Sequence, residues 1–146
     1  MAGKKAFRLA AVLRYKQQLE ERLQGELARL IQALAQAENV GVQQREHRES
    51  CLAALHLKEQ TGLPAAELLL YSAFVQQLSV EMAQQAQLIA ELRESVSQAR
   101  AHLEQAMKDR QIIENLQEKA RLAHKQQTRQ EEERALAEVA LRRFSS

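Results

Sequence analysis

The stretch YSAFVQQLSVEMAQQAQLIAELRESVSQARAHLEQAMKDRQII, Tyr71 to Ile113, decides the fold. Taken in alternating steps of four and three, it yields Tyr71, Val75, Leu78, Met82, Gln85, Ile89, Leu92, Val96, Ala99, Leu103, Ala106, Arg110 and Ile113. Only Gln85 and Arg110 interrupt the apolar series. Such spacing averages about 3.5 residues per turn, which keeps one narrow seam turned toward a single partner helix and winds the pair left-handed. No Gly and no Pro follows Pro64, so nothing in the sequence breaks the helix. A surface helix of a globular domain drifts at about 3.6 residues per turn and is much shorter. The segment is one strand of a coiled coil, and the rest of the chain has to supply its partner.

Upstream, a helical pattern begins near Lys4, after a frayed residue 1–3 stretch. It runs through Phe7, Leu9, Val12 and Leu13 to Leu19, Leu23, Leu27, Leu30, Leu34 and Ala37. From Leu19 to Leu30 the steps are four, four and three, a local relaxation of the heptad. Gly25 and Gly41 each cost about 1 kcal/mol relative to Ala, and the helix is expected to survive both. Periodicity returns at Cys51, Leu52 and Leu55. The one strong punctuation is Lys58-Glu59-Gln60-Thr61-Gly62-Leu63-Pro64, where Gly62 suits the residue past a helix end and Pro64 the start of the next.

A short connection implies antiparallel neighbours. The sequence therefore predicts an all-α fold of two long helices in an antiparallel coiled-coil hairpin. It reads as a single domain over 1–146, with arm one at about 4–57, a turn at about 58–64 and arm two at about 65–144. Folding about Thr61–Leu63 sets Leu34 against Ile89. Arm two is longer, so a C-terminal helical arm protrudes from roughly Lys119 onward.

Composition limits the functional classes. The 146 residues include no Trp, three Phe and two Tyr, too little aromatic volume for an ordinary compact core. Cys51 is the only cysteine, which excludes an internal disulfide and fits a reduced, cytoplasmic setting. No apolar run approaches the roughly 20 residues of a membrane span, and the run after Lys4 and Lys5 is too short for a signal peptide. No Gly-rich phosphate loop, nucleophile elbow or metal-binding CxxC occurs. His47 and Cys51, four apart, make two ligands and not a structural zinc site. The expectation is a chain that is not an enzyme and holds no cofactor or metal.

Net charge is +2, unevenly spread. Residues 1–16 carry Lys4, Lys5, Arg8, Arg14 and Lys16 and no acid, and residues 119–146 carry seven basic and four acidic side chains. The middle is net acidic. Phosphate would suit the basic ends, but no aromatic stacking platform accompanies them, which argues against nucleic acid. A membrane-surface helix over 4–19 is a fairer rival, countered by the smooth continuation of its stripe into the coiled-coil arm. Phe74, Leu69 and Leu70 fall outside the seam. Either arm one covers them near Leu52, Leu55 and Leu57, or they form an apolar patch that meets another protein.

Three segments carry a resemblance to a known family. The start FRLAAVLRYK (Phe7 to Lys16), the segment YSAFVQQL (Tyr71 to Leu78) and the charged tail from Asn115 to Phe144 resemble, in order and spacing, the flagellar export protein FliJ family. The resemblance covers nearly the whole chain. It implies an antiparallel two-helix coiled coil similar to the central stalk of rotary ATPases. It further implies a non-catalytic stalk and adaptor that binds a hexameric export ATPase (FliI-like), promotes its ring assembly and activity, and contacts the export gate protein (FlhA-like) and substrate chaperones. Localisation would be cytoplasmic, peripheral to the inner-membrane export apparatus, in the service of flagellum biogenesis and motility. Tyr71, Phe74 and Leu78, with Gln85 further along, are the gate-contact candidates.

For the ATPase ring the candidates are Phe7, Arg8, Leu9, Val12, Leu13, Arg14, Tyr15 and Lys16 on arm one, and Arg121, Lys125 and Arg129 on arm two. Here Phe7, Leu9 and Val12 would anchor the helix pair while the charges face outward, free to steer toward an acidic pore mouth. Competing readings are the equivalent stalk of a virulence-type secretion system and a generic scaffold self-associating as a parallel dimer through Val75, Ile89 and Val96.

Overall fold

The computed structural model describes residues 2–145. Among them the chain forms two helices and no strand: α1, Ala2–Thr61, and α2, Ala65–Ser145. The two pack against each other as a helical hairpin. Met1, in the stretch expected to fray, lies outside the described residues.

The connection is short because its residues are chosen for it. Gly62 has φ of 90°, a left-handed conformation that a Cβ would strain. The Thr61 hydroxyl donates to the carbonyls of Leu57 and Lys58 at 3.4 and 3.2 Å, so α1 continues through residues that the sequence pattern assigns to the turn. The Leu68 N–H donates to the Pro64 carbonyl at 3.1 Å, which opens α2, and Glu67 sits in its first turn where the helix dipole favours a negative charge.

Contacts divide the chain into two compact units, one of Gln24–Ala101 and one of Met1–Leu23 with His102–Ser146. The first contains the turn. Its α2 seam is the series read from the sequence, Tyr71, Val75, Leu78, Met82, Gln85, Ile89, Leu92, Val96 and Ala99, each buried or half-buried. Opposite lie Leu27, Leu30, Leu34, Ala37, Gly41, Gln44, Cys51 and Leu55, also covered. Gln85, the polar residue in the apolar series, donates its side-chain amide to the Ala37 carbonyl at 2.9 Å, so the polar layer is satisfied across the seam. Arg93 and Glu38 pair at 3.1 Å on the exposed flank. Ile89 does not sit against Leu34. Its Cδ1 stands 3.4 Å from where a Cβ on Gly41 would be. Ile89 thus packs against α1 at Gly41, one heptad (seven residues) along α1 from the expected partner.

The second unit contains both chain ends. Its seam pairs Leu9, Leu13, Lys16, Glu20 and Leu23 with Leu103, Ala106, Arg110, Ile113, Gln117 and Ala120, all at least half-buried. The relaxed step expected at Leu19 does not occur. The seam passes through Glu20, buried, and keeps the strict four–three alternation, while Leu19 lies beside it, half-buried. A carboxylate is tolerated there because Arg110 Nε donates to it, and Arg110 Nη1 donates to Glu114 at 2.7 Å. These bonds, first to Glu114 and then to Glu20, raise the Arg110 pKa further above its ordinary value. From Arg121 to Ser145 every side chain of α2 is exposed, so the C-terminal arm protrudes as expected.

The apolar core is thin. Ala37, Leu78, Val96 and Ala106 are its buried hydrophobic side chains. Backbone terms therefore weigh heavily, and two glycines should respond with opposite sign. A Cβ at Gly25 meets nothing within 4 Å, so Gly25→Ala should stabilise by about 0.5–1 kcal/mol through helix propensity. Gly62→Ala should destabilise by about 1–2 kcal/mol, because φ of 90° is strained for any side chain. Thermal or urea unfolding followed by circular dichroism measures both.

Candidate functional site

The ATPase-facing candidates fall in the unit that contains the chain ends. Its α1 seam has a four–three rhythm through Leu9, Leu13 and Lys16, which assigns every other side chain nearby to a flank or to the outer face. Leu9 and Leu13 accordingly anchor the pair. Phe7 and Val12, expected to join them, do not: Phe7 is 77% exposed and Val12 is exposed on a flank. Arg8, Arg14 and Tyr15 share the outer face with Phe7, all exposed, whereas Lys16 lies in the seam with its reach toward solvent partly covered. The result is an outer face of cations interleaved with two aromatic rings. Among the described residues no ion pair involves Lys4, Lys5, Arg8, Arg14 or Lys16.

On α2 the three candidate cations differ. Arg121 is tied to Glu118 by two bonds, 2.7 and 3.1 Å, which hold the Glu118 carboxyl below its ordinary pKa. Arg129 lies 3.6 Å from Glu133. Lys125 is exposed, and among the described residues no ion pair involves it. A groove of about 590 Å³ lies between the start of α1 and the stretch of α2 that it meets, with Gly3, Lys5 and Ala6 on one wall and Gln117, Ala120, Arg121 and His124 on the other. It exists because Ala6 and Ala120 occupy seam positions that larger residues would fill.

The gate-facing candidates fall in the unit that contains the turn, and the structure separates them. Leu78 is 6% exposed and packs in the seam. Gln85 is committed to the Ala37 carbonyl. Tyr71 is half-buried and its hydroxyl accepts a hydrogen bond from Lys58 Nζ, which raises the Lys58 pKa. Since a raised pKa favours the ammonium in the folded state, this bond is fully present at neutral pH and is lost only as pH climbs through that raised value. Phe74 is the accessible member, 48% exposed, with its ring edge-on to His47 at 5.7 Å between centroids and 86° between planes. Leu69 and Leu70 are not covered by α1; each is 71% exposed. By heptad position His47, Leu57, Leu70 and Phe74 lie on one flank. The sequence signal for Leu57 and Leu70 was their place outside the seam; that for His47 was only its spacing from Cys51, whose Sγ is 4.0 Å from His47 Nε2.

The chain that forms these two helical units, with a polar-pinned seam, a basic aromatic face and a separate apolar flank, matches one family along its length. Residues 4–146 fit the family model described as "Flagellar FliJ protein". The chain belongs to the FliJ family. Membership makes it a flagellar, export-related protein. No curated protein matches the chain, and no solved structure does. None of the described helices is long and apolar enough to cross a membrane.

The burial difference makes a direct forecast. Leu78→Ala should cost about 2–4 kcal/mol of stability, as truncation of a buried leucine does. Phe74→Ala should cost about 1 kcal/mol or less, since half its ring already faces water. Urea midpoints of the two variants give the comparison.

Proposed function

We propose that the chain is a non-catalytic stalk and adaptor of the flagellar export apparatus. It docks on the hexameric export ATPase by the unit that contains its two ends and on the export gate protein by the unit that contains its turn. The observation that carries this reading is the basic start of α1, whose outer face bears Arg8 and Arg14 with Phe7 and Tyr15. Five cations, Lys4, Lys5, Arg8, Arg14 and Lys16, stand in sixteen residues without an acid, and Phe7 and Tyr15 are exposed among them. Uncompensated charge steers association with an acidic surface, and exposed aromatic rings supply the short-range contact once it forms. Lys125, with Arg121 and Arg129, extends the basic surface onto the protruding arm of α2. Membership of the FliJ family supports the choice of an export ATPase over other acidic partners.

At the gate, Phe74 makes the contact in this proposal. Tyr71, Leu78 and Gln85 act beneath it, holding α2 in the register that presents the flank. Export chaperones are the third partner class, and the apparatus would hold the chain at the cytoplasmic side of the inner membrane.

The test uses charge reversal. Arg8, Arg14, Arg121 and Lys125 changed together to Glu should abolish stimulation of the purified export ATPase while circular dichroism stays that of two helices. In the unaltered protein, stimulation at subsaturating concentration should fall as salt rises from about 0.05 to about 0.5 M, because exposed charges are screened over about 10 Å or less in that range. Gate binding should survive this variant and weaken in Phe74→Ala. Full stimulation by the reversed variant would remove the ring contact from these residues.

A further inference from the structure

The unit that contains the chain ends has an apolar flank that its seam does not use. In an antiparallel helix pair, residues one place before a seam position on either helix rotate to the same side, and residues one place after rotate to the other. The unit that contains the turn obeys this rule. Phe74 and His47, each one place before a heptad seam position, meet ring to ring. Arg93 and Glu38, each one place after, form an ion pair. In the unit that contains the ends, the same rule puts Val12, Tyr15 and Leu19 of α1 on one flank with Ile112 and Leu116 of α2. The bond between Arg110 and Glu20 sets the level, so residues 12–19 of α1 run alongside residues 111–118 of α2. The two apolar rows therefore face each other across a shallow cleft. Leu19 is half-buried beside the seam, Leu116 is 45% exposed and Ile112 is 56% exposed. Tyr15 stands where the flank turns into the outer face.

Charge borders the patch. Arg8 and Lys119 stand at one end of it and Arg22 at the other, each one place before a seam position. Among the described residues no ion pair involves these three. One acid, Asp109, shares the flank, and it accepts a hydrogen bond from Gln105 at 3.0 Å. The opposite flank carries Glu21, Glu104, Glu114 and Glu118. The two sides of one helix pair thus differ in sign, and the apolar rows lie on the basic side.

We propose that this flank seats a third helix, an acidic amphipathic segment of a partner protein, in a short three-helix coiled coil. A helix is the shape that fits. Packed at the usual axis separation of about 8–10 Å, it presents a convex apolar edge that reaches Leu19 between the rows. A flat bilayer meets the rims at Ile112 and Tyr15 and does not reach that residue. The cations at both ends select acidic positions beside the incoming seam. A second copy joined through the same flank would set Arg8, Arg22 and Lys119 against cations of its partner, which is unfavourable. The contact is short, since residues 12–19 rise only about 10 Å, and micromolar affinity is expected. Ile112, Leu116, Arg22 and Lys119 take no part in the ring contact, so this docking stands or falls without it.

Fluorescence anisotropy of the full chain with a labelled synthetic helix tests the proposal. The probe has three heptads, with Leu at both seam positions and Glu at the two positions beside them, so that its own copies repel. A companion probe has Lys in place of each Glu. At about 0.1 M salt the chain should bind the Glu probe with a Kd of about 50 μM or tighter, and the Lys probe on the order of tenfold more weakly. Ile112→Ser with Leu116→Ser should weaken the Glu probe on the order of tenfold while circular dichroism stays that of two helices. R22E/K119E, which alters exposed charges alone, should reverse the preference between the probes. Equal binding of the two probes overturns the proposal, as does binding that both variants retain in full. So does the absence of binding at about 0.5 mM chain. If vesicles rich in phosphatidylglycerol take up the chain through Ile112 and Leu116, the flank belongs to a membrane surface and the proposal is overturned. Sedimentation that shows the chain dimerising through those residues overturns it in favour of a second copy.

Discussion

Each helix has only the other to bury against, and the seam they share is about two residues wide per heptad. That constraint governs what the rest of the chain can be. An unpaired polar group is costly in a narrow seam, because the few covered apolar side chains offset little of such a cost, and Gln44 Oε1 is a buried seam atom that has no hydrogen-bond partner among the described residues. Both polar residues of the α2 series consequently find a partner across it. Gln85 bonds the Ala37 carbonyl, and Arg110 bonds Glu20. Ion pairs of this kind contribute little net stability against a well-packed apolar layer, yet a lone charge left in the seam would be strongly unfavourable. They therefore oppose slippage: a shift of one heptad would separate Glu20 from Arg110 and leave both without their bonds. The close packing of Ile89 against Gly41 acts toward the same end by shape rather than charge.

A chain that spends its apolar residues on a seam leaves its flanks and outer faces to other work. Those faces are not alike. The first turns of α1 present cations and two aromatic rings, and the flank with His47, Leu57, Leu70 and Phe74 presents apolar surface with little charge. Distinct surface chemistries thus lie along a chain that belongs to a flagellar, export-related family.

Tyr71, Leu78 and Gln85 recur every seven residues, and that spacing makes them seam residues before it makes them anything else. A motif shared among relatives can thus mix residues that touch a partner with residues that hold the helix pair together. Phe74 is set apart from them by three or four positions, enough to rotate it onto the flank. Its half-exposed ring against His47 is where packing ends and surface begins.

From the sequence alone came the two helices, their antiparallel sense, the Gly62 break, the whole covered series on α2 and the protruding arm. These follow from local terms, namely periodicity, propensity and the φ that glycine permits, which need no knowledge of the partner. Tertiary structure decided the rest. It put Glu20 and not Leu19 in the seam, moved Ile89 to Gly41, turned Phe7 and Val12 outward and left Leu69 and Leu70 bare. Each of these depends on how far one helix slides along the other. A four–three pattern repeats every seven residues and so fits several slides nearly equally, and only residues meeting across the seam, Arg110 with Glu20 and Ile89 with Gly41, select one.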